Sequence, residues 1–238
     1  MTLLIDAGNT RIKWRLSGTT NPVEGACEHD QLDALDAALA NTPEIRRIIG
    51  ANVAGPLVGG RIGALAAKRG ITPEWITPVA SHCGVRNLYD RPAQLGADRW
   101  AALIGARSQH PHACLVVMAG TATTIDVLDA SGDFLGGLIL PGVELMQRAL
   151  TSNTAQLPLL AGQYSATPRS TADAILSGCL HAQAGAVERM FRQIESADGA
   201  CCLLGGGAAD AFANLLPVPV QRVDNLVLDG LARIAREA

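Results

Sequence analysis

Residues 3–13 of the chain read LLIDAGNTRIK, in which three apolar residues run into an aspartate and a short glycine, amide and hydroxyl segment. The apolar run is typical of a buried strand, and the alternation at 12–16 predicts a half-buried neighbouring strand. Asp6, Gly8 and Asn9 would then lie where the first strand ends. A plain Asp-Ala-Gly-Asn turn explains the same pattern, so this stretch alone leaves structural and functional interpretations open.

A second copy of the pattern begins a little under half a chain later. Residues 115–123 read LVVMAGTAT, so that Gly120 corresponds to Gly8. Both copies follow a predicted strand and precede further strands and then helices. This repetition favours two similar α/β domains, which we place at residues 1–110 and 111–238.

Composition excludes several classes of protein. The 238 residues carry a net charge of −3 with both signs scattered, which argues against nucleic-acid and membrane-surface partners. No apolar run approaches the length of a membrane span, and Asp6 interrupts the first run too early for a secretion signal. The six cysteines include no C-x-x-C pair, which predicts reduced thiols in a cytoplasmic protein rather than a zinc site.

Apolar periodicity and turn residues predict the remaining elements. Helices are predicted at 30–41, 56–69, 97–108, 141–150, 170–195, 208–214 and 225–237. Strands are predicted at 48–53, 75–76, 114–118, 124–129, 134–140, 200–204 and 218–222, with another short strand after a turn at 17–22. Residues 78–96 are predicted to be irregular.

Glycine-rich turns after strands indicate phosphate binding, because glycine lets backbone N–H groups approach anionic oxygens. The chain contains neither G-x-x-x-x-G-K-[ST] nor a strand followed by G-x-G-x-x-G, so a P-loop and a dinucleotide Rossmann fingerprint are excluded. A third glycine cluster, LLGGGA at 203–208, has two interpretations. It could allow tight packing of strand and helix, or it could leave room for a flat base.

Four motifs, in this order, resemble those of the type III pantothenate kinases: Asp6-Ala-Gly-Asn-Thr10, Gly96-Ala-Asp-Arg99, Gly120-Thr-Ala-Thr-Thr124 and Gly205-Gly-Gly-Ala208. Segments 168–171 and 225–231 are also similar. That family belongs to the acetate and sugar kinase, Hsp70 and actin superfamily. The resemblance implies an α/β fold of two ribonuclease-H-like domains with mixed sheets and an ATP cleft between them.

The resemblance also implies ATP-dependent phosphorylation of pantothenate to 4′-phosphopantothenate, the first step of coenzyme A biosynthesis, by a homodimer. Asp98 would be the catalytic base, and Asp6 would hold Mg²⁺ directly or through water. The implied ATP-binding residues are Asp6, Ala7, Gly8, Asn9, Thr10, Arg11, Ile12, Lys13, Gly120, Thr121, Gly205 and Gly206. The implied pantothenate contacts are Tyr89, Gly96, Ala97, Asp98, Arg99 and Thr171.

Several alternatives stay open from the residues themselves. Lys13 could add a charge at the phosphates or be a solvated strand residue, and Asp98 alone could be an ordinary aspartate at a helix start. The chain could be a superfamily kinase or phosphatase with another small acceptor, or a catalytically weak nucleotide-binding regulator. Intact Asp6 and Asp98 argue against the regulator.

The chain departs from the family at Met118. Many members carry an aspartate there that helps to bind an activating K⁺ or NH₄⁺ ion. A thioether is a poor ligand for a hard monovalent cation, and a methionine on a strand of leucine and valines is more simply a packing residue. We therefore predict weak or absent dependence on a monovalent cation.

Overall fold

A computed structural model describes residues 1–18, 23–42, 44–153 and 161–237 of the chain. The chain divides into two compact units, Met1–His110 together with the C-terminal segment from Asn225, and Pro111–Asp224. Residues 19–22 of the predicted turn lie outside the described residues. All six cysteines are free thiols.

The first unit is built on a mixed five-stranded sheet. Its strands are β1 (Thr2–Ala7), β2 (Arg11–Ser17), β3 (Glu24–Glu28), β4 (Arg47–Asn52) and β5 (Glu74–Trp75), in the order β3-β2-β1-β4-β5. Central β1 pairs antiparallel with β2 and parallel with β4. Apolar side chains alternate along the first two strands, so that Leu3, Ile5, Ile12 and Trp14 join one buried cluster.

Four helices and a hairpin complete this unit. The helices are α1 (Asp33–Ala40), α2 (Pro56–Ala67), α3 (Ala97–Gln109) and α6 (Leu226–Glu237). Strands β6 (Ser81–His82) and β7 (Val85–Asn87) form an antiparallel hairpin, and a 3₁₀ helix follows at Pro92–Gln94. The segment 78–96 was predicted to be irregular; it does contain this hairpin, whose strands are too short to produce a recognisable alternation.

The second unit repeats the topology of the first. Its strands are β8 (Cys114–Ala119), β9 (Ala122–Leu128), β10 (Asp133–Pro141), β11 (Cys201–Gly205) and β12 (Val220–Arg222), and they lie in the order β12-β11-β8-β9-β10. Central β8 pairs antiparallel with β9 and parallel with β11, as β1 does with its neighbours. The LLIDAGNT and LVVMAGTAT segments thus contain the ends of β1 and β8, the central strands of the two sheets, and the loops that follow them.

Two long helices belong to this second unit, α4 (Val143–Asn153) and α5 (Thr171–Phe191). A single helix was predicted at 208–214, but the structure has two 3₁₀ helices there, Ala209–Ala211 and Ala213–Leu215. Within the described residues no helix is both long and apolar enough to span a membrane. The predicted mixed α/β fold class is confirmed, with two sheets of the same strand order.

The last helix belongs to the first unit, whereas the predicted second domain, 111–238, includes it. Helix α6 packs backbone to backbone against α3 at two glycines. An ideal Cβ on Gly105 would lie 2.2 Å from the Leu226 carbonyl oxygen, and one on Gly230 would lie 1.8 Å from that of Ala101. Only glycine permits this approach. Gly105 and Gly230 are 125 residues apart, and no local sequence pattern indicates that they pack together. The sequence therefore did not predict that α6 joins the first unit.

Candidate active site

The turn between β1 and β2 presents polar groups to solvent. The Gly8 N–H donates to the Arg11 carbonyl at 3.1 Å and closes the turn. Asn9, Thr10 and Arg11 are exposed, so they are accessible to a ligand. Ala7 and Ile12 were also predicted to bind ATP, but their side chains are completely buried. Only the backbone of those two residues could contact a nucleotide.

His29 supports this turn from the end of β3, and the sequence did not single it out. Its Nε2–H donates to the Gly8 carbonyl oxygen at 2.8 Å. Because that oxygen can only accept, the contact requires a proton on Nε2. His29 therefore holds the glycine of the loop in place.

Asp6 lies at the end of β1 with two charged groups near it. Burial and the nearby Asp98 carboxylate raise the pKa of Asp6 to about 6, and the Lys13 ammonium partly opposes this rise. Lys13 is the cross-strand partner of Asp6. Two carboxylates whose charges repel each other at a buried position are stabilised by a divalent cation, so this arrangement fits Mg²⁺.

Asp98 lies in the first turn of α3, as predicted. Its Oδ1 accepts a hydrogen bond from the Arg99 backbone N–H at 2.8 Å, which orients the carboxylate at the helix start. An ideal Cβ on Gly96 would lie 2.6 Å from that oxygen. Gly96 therefore leaves the space that the Asp98 side chain occupies, and a side chain at position 96 would displace it.

Arg99 and Tyr89, both predicted to contact pantothenate, contact each other. The Arg99 guanidinium is buried, donates from Nη1 to the Tyr89 hydroxyl at 3.1 Å, and lies 5.7 Å from the centre of the tyrosine ring. Both distances fit a combined hydrogen bond and cation–π contact. A positive charge held at a fixed position beside Asp98 suits recognition of a carboxylate substrate.

Buried Asn87 shapes the loop that carries Tyr89. Its Nδ2 donates to the Pro92 carbonyl at 3.1 Å, and its Oδ1 accepts from the Tyr89 backbone N–H at 3.1 Å. One side chain therefore fixes both sides of the loop. The sequence prediction missed Asn87 because neither partner follows from local spacing.

The second glycine loop, between β8 and β9, has a similar local geometry. The Gly120 N–H donates to the Ala122 carbonyl at 3.0 Å, and Gly120 and Thr121 are both exposed. Gly142 lies directly against this loop, because its N–H donates to the Thr121 carbonyl at 2.8 Å. An ideal Cβ on Gly142 would lie 2.1 Å from the Gly120 carbonyl oxygen. Sequence reasoning missed this support.

Gly142→Ala should therefore shift the second loop. Because the resemblance implies that this loop binds ATP, we expect kcat/KM for ATP to fall by roughly 10²-fold, an effect that a displacement of about 1 Å can cause. Gly185→Ala is the matched control, because a Cβ there meets nothing within 4 Å and alanine favours the helix. Steady-state kinetics of both variants measure the difference, and equal kcat/KM values would contradict a role for Gly142 in holding the loop.

The third glycine cluster packs against the end of β8. Gly206 has a φ of +96°, and an ideal Cβ on it would lie 2.1 Å from the Ala119 carbonyl oxygen. Gly205 is buried beside Met118, whose Sδ would lie 3.2 Å from a Cβ at that position. These contacts support the tight-packing interpretation. That Gly205 and Gly206 also border the base of a nucleotide stays a prediction.

Met118 lies between Thr124 of β9 and Gly205 of β11 in the sheet. Its thioether packs over Gly205, as a packing residue would. The Thr124 hydroxyl oxygen is buried and has no hydrogen-bond partner among the described residues. Met118, at the position where many members of that family carry an aspartate, thus offers a thioether and no oxygen, and its cross-strand neighbour Thr124 offers one hydroxyl.

Thr171 is the first residue of α5 and is exposed. Ser170 caps this helix by accepting from the Asp173 N–H at 3.2 Å. Thr171 borders an apolar groove of about 720 Å³ on the second unit, together with Pro141, Met146, Ala149, Leu150, Ala174, Ile175, Gly178 and Cys179. The structure therefore brings Asp6, Lys13 and Asp98 together, and Tyr89 with Arg99, while Thr171 lies beside this groove.

Two sheets of one repeated strand order, each with a glycine loop after its central strand, define a mixed α/β fold that other solved structures share. A solved structure from Sinorhizobium meliloti, of a protein proposed to be a 2-dehydro-3-deoxygalactonokinase, has a similar fold. Its TM-score is 0.63 at 17% identity, over 100% of this chain and 96% of that one.

The comparisons of sequence are more specific. The family model for type III pantothenate kinase matches residues 2–193. A type III pantothenate kinase of Aromatoleum aromaticum is 60% identical over 100% of this chain and 98% of its own length. One from Azoarcus sp. is 56% identical over 99% of this chain and 90% of its own. The chain belongs to the type III pantothenate kinase family.

Proposed function

We propose that this chain transfers the γ-phosphoryl group of ATP to pantothenate, giving 4′-phosphopantothenate for coenzyme A biosynthesis. Membership of the family supports the reaction. The observation that carries the mechanism is that Asp6 lies near enough to Asp98 for burial and the Asp98 carboxylate to raise the pKa of Asp6. One carboxylate would serve the nucleotide's metal ion, and the other would serve the acceptor hydroxyl.

Asp6 would hold Mg²⁺ directly or through water. When bound, that ion neutralises charge that develops on the phosphates during transfer. Around it, half-buried Gly8 and exposed Asn9 and Thr10 would offer backbone and side-chain donors, and His29 keeps the loop in position. Lys13, beside Asp6, would add a positive charge at the phosphates.

In the second unit, Gly120 and Thr121 would contribute donors to the phosphates, with Gly142 behind them. Gly205 and Gly206 would border the base. For Gly120 and Thr121 this assignment extends the family resemblance to a loop that the structure leaves exposed, and the Gly142→Ala kinetics above examine it.

Asp98 would accept the proton of the pantothenate hydroxyl as the phosphoryl group arrives. The Arg99 N–H and the space left by Gly96 orient its carboxylate. Arg99 and Tyr89, joined by their hydrogen bond, would bind the pantothenate carboxylate and chain, with Ala97 beside them at the helix start. Because phosphoryl transfer depends mainly on positioning, these contacts matter as much as the basicity of Asp98.

The apolar groove beside Thr171 supports the homodimer that the family implies. Leu150 of α4 is exposed in this groove, Leu145 is exposed on the same helix, and water contact with such side chains is unfavourable. We expect the protein to elute at twice its 24.7 kDa monomer mass, and Leu150→Glu to shift it towards the monomer. Leu57→Glu, an exposed leucine on α2, is the control. Light scattering that gives a monomer for the unchanged chain would contradict the proposal.

Met118 leads us to expect little activation by K⁺. The phosphates would then be neutralised by Mg²⁺ and by the donors of the two loops. Rates should be measured in Tris buffer at fixed ionic strength with K⁺, NH₄⁺ or Na⁺ as the added monovalent cation. Activation of more than about tenfold by K⁺ over Na⁺ would show that other oxygens, the Thr124 hydroxyl first, rebuild the site.

The alternatives are a superfamily kinase with another small acceptor and a catalytically weak nucleotide-binding regulator. A coupled assay of ADP release separates them, run with and without pantothenate. Pantothenate-dependent ADP release supports the proposal. Release that is independent of pantothenate but stimulated by another alcohol favours the first alternative, and no release with retained nucleotide binding favours the second.

Free thiols and ATP as substrate support the cytoplasm as the compartment.

A further inference from the structure

A cluster of three possible metal ligands lies in the first unit, apart from the residues assigned above. One ligand atom each of His82, Cys83 and Glu237 lies within 4.8 Å of the other two. The Cys83 Sγ and the His82 Nδ1 are 3.2 Å apart. Zn–S bonds of about 2.3 Å and Zn–N bonds of about 2.0 Å place such a pair roughly 3.5 Å apart around one zinc ion. The observed separation is close to that value.

The backbone at Cys83 is a second, independent observation. Cys83 and Gly84 form the two-residue turn of the β6–β7 hairpin, with φ values of +52° and +79°. Positive φ at both positions defines a type I′ turn, for which Asn-Gly is strongly preferred. A cysteine in the left-handed region costs of order 1–2 kcal/mol, so its presence there needs a reason beyond the turn.

Glu237 reaches this turn from the end of α6. Its carboxylate also pairs with Arg233, one helical turn earlier, through a short salt bridge. That partner leaves the second carboxylate oxygen for the cluster and orients it, as outer partners of metal ligands commonly do.

We propose that His82, Cys83 and Glu237 bind one Zn²⁺ ion, with water as the fourth ligand. A ligand set of thiolate, imidazole and carboxylate binds Zn²⁺ in preference to Mg²⁺ or Ca²⁺. Binding replaces the S–H bond of Cys83 with an S–Zn bond and releases one proton to water. The absence of a C-x-x-C pair concealed this site, because two ligands are adjacent and the third comes from the C-terminal helix.

Zinc bound in this way ties the end of α6 to the hairpin whose second strand ends at Asn87, two residues before Tyr89. The expected consequence is stabilisation of that hairpin and of the last helical turn. The site contains none of the residues assigned to ATP or Mg²⁺. Its test therefore needs no assumption about the reaction.

The test uses the full chain after removal of metals with EDTA. Zn²⁺ is titrated in competition with a chromophoric chelator, and Co²⁺ is then substituted to detect thiolate-to-cobalt absorption. We expect one equivalent of zinc, a thiolate–cobalt band, and a rise in Tm on adding zinc. Cys83→Asn should lose the band and the rise in Tm, and should bind zinc at least about 100-fold more weakly.

Cys83→Asn is informative because asparagine suits the turn, so the metal-free variant should be at least as stable as the unchanged chain. Cys201→Ala, which removes a half-buried thiol from the second unit, should leave both zinc affinity and the band intact. His82→Gln and Glu237→Gln should each weaken binding by about tenfold or more. Equal zinc affinity in the unchanged chain and Cys83→Asn, or no thiolate–cobalt band in the unchanged chain, would overturn the proposal.

Discussion

Asp98→Asn is expected to lower kcat by about 10²–10⁴-fold while leaving the fold and ATP binding intact, because it removes the base but keeps the shape of the side chain. The lower end of that range is favoured, since a loose phosphoryl-transfer transition state requires little early deprotonation of the acceptor. Stopped-time assays at saturating ATP and pantothenate measure kcat. Circular dichroism and nucleotide titration check the fold and ATP binding.

The control for Asp98→Asn is Asp33→Asn. Asp33 is an exposed aspartate in the first turn of α1, so it shares the helix-start position of Asp98 without its proximity to Asp6. We expect this control to retain full activity. If Asp98→Asn kept more than about half of the original rate, Asp98 would be an ordinary helix-start residue and the proposed base would be wrong.

Asp6→Asn should have the second large effect, on metal-dependent turnover. An amide oxygen is a weaker Mg²⁺ ligand than a carboxylate, so activity should fall at every Mg²⁺ concentration or require much more Mg²⁺. Pantothenate binding should change little. The Mg²⁺ requirement is measured by titrating the rate against Mg²⁺. An unchanged requirement in Asp6→Asn would favour the interpretation of residues 3–13 as a plain strand and turn.

The same variant should stabilise the metal-free protein. A folded-state pKa of about 6, against 3.8 for the free side chain, means that folded Asp6 holds a proton between about pH 4 and 6 that the unfolded chain releases. The free energy of unfolding therefore decreases as pH rises through that window. The full difference is about 3 kcal/mol at most above pH 6, at 1.36 kcal/mol per pKa unit.

Urea denaturation in EDTA measures this effect. At pH 7.5 Asp6→Asn should be more stable than the unchanged chain, and below about pH 4 the advantage should disappear. Adding Mg²⁺ should stabilise the unchanged chain alone. An advantage of the same size at both pH values would show that the burial of Asp6, with Asp98 nearby, does not govern its protonation.

The local patterns were sufficient to predict the central strands and the beginning of α3. An apolar strand followed by Ala-Gly occurs twice, and the two copies end β1 and β8, which occupy equivalent positions in their sheets. Periodicity was misleading at 208–214, where apolar spacing resembles that of a helix. There Gly206 packs on Ala119 and two 3₁₀ helices follow.

The supporting contacts could not be predicted from the sequence because they join residues that are distant along the chain. His29 contacts Gly8, Gly142 contacts Thr121, and Glu237 lies beside Cys83. Each depends on tertiary packing and leaves no local spacing signal. The roles proposed for Asp98 and Tyr89 come from the family resemblance, and the structure adds the contacts that orient these side chains.

The most direct test of the proposed reaction is to identify and count its products. The chain is incubated with ATP, Mg²⁺ and pantothenate, and ADP and the phosphorylated acceptor are quantified by mass spectrometry. We expect equal amounts of ADP and 4′-phosphopantothenate, with both formed about 10²-fold more slowly, or slower still, by Asp98→Asn. ADP without phosphopantothenate, or phosphopantothenate formed at the same rate by Asp98→Asn, would contradict the proposed reaction or its proposed base, respectively.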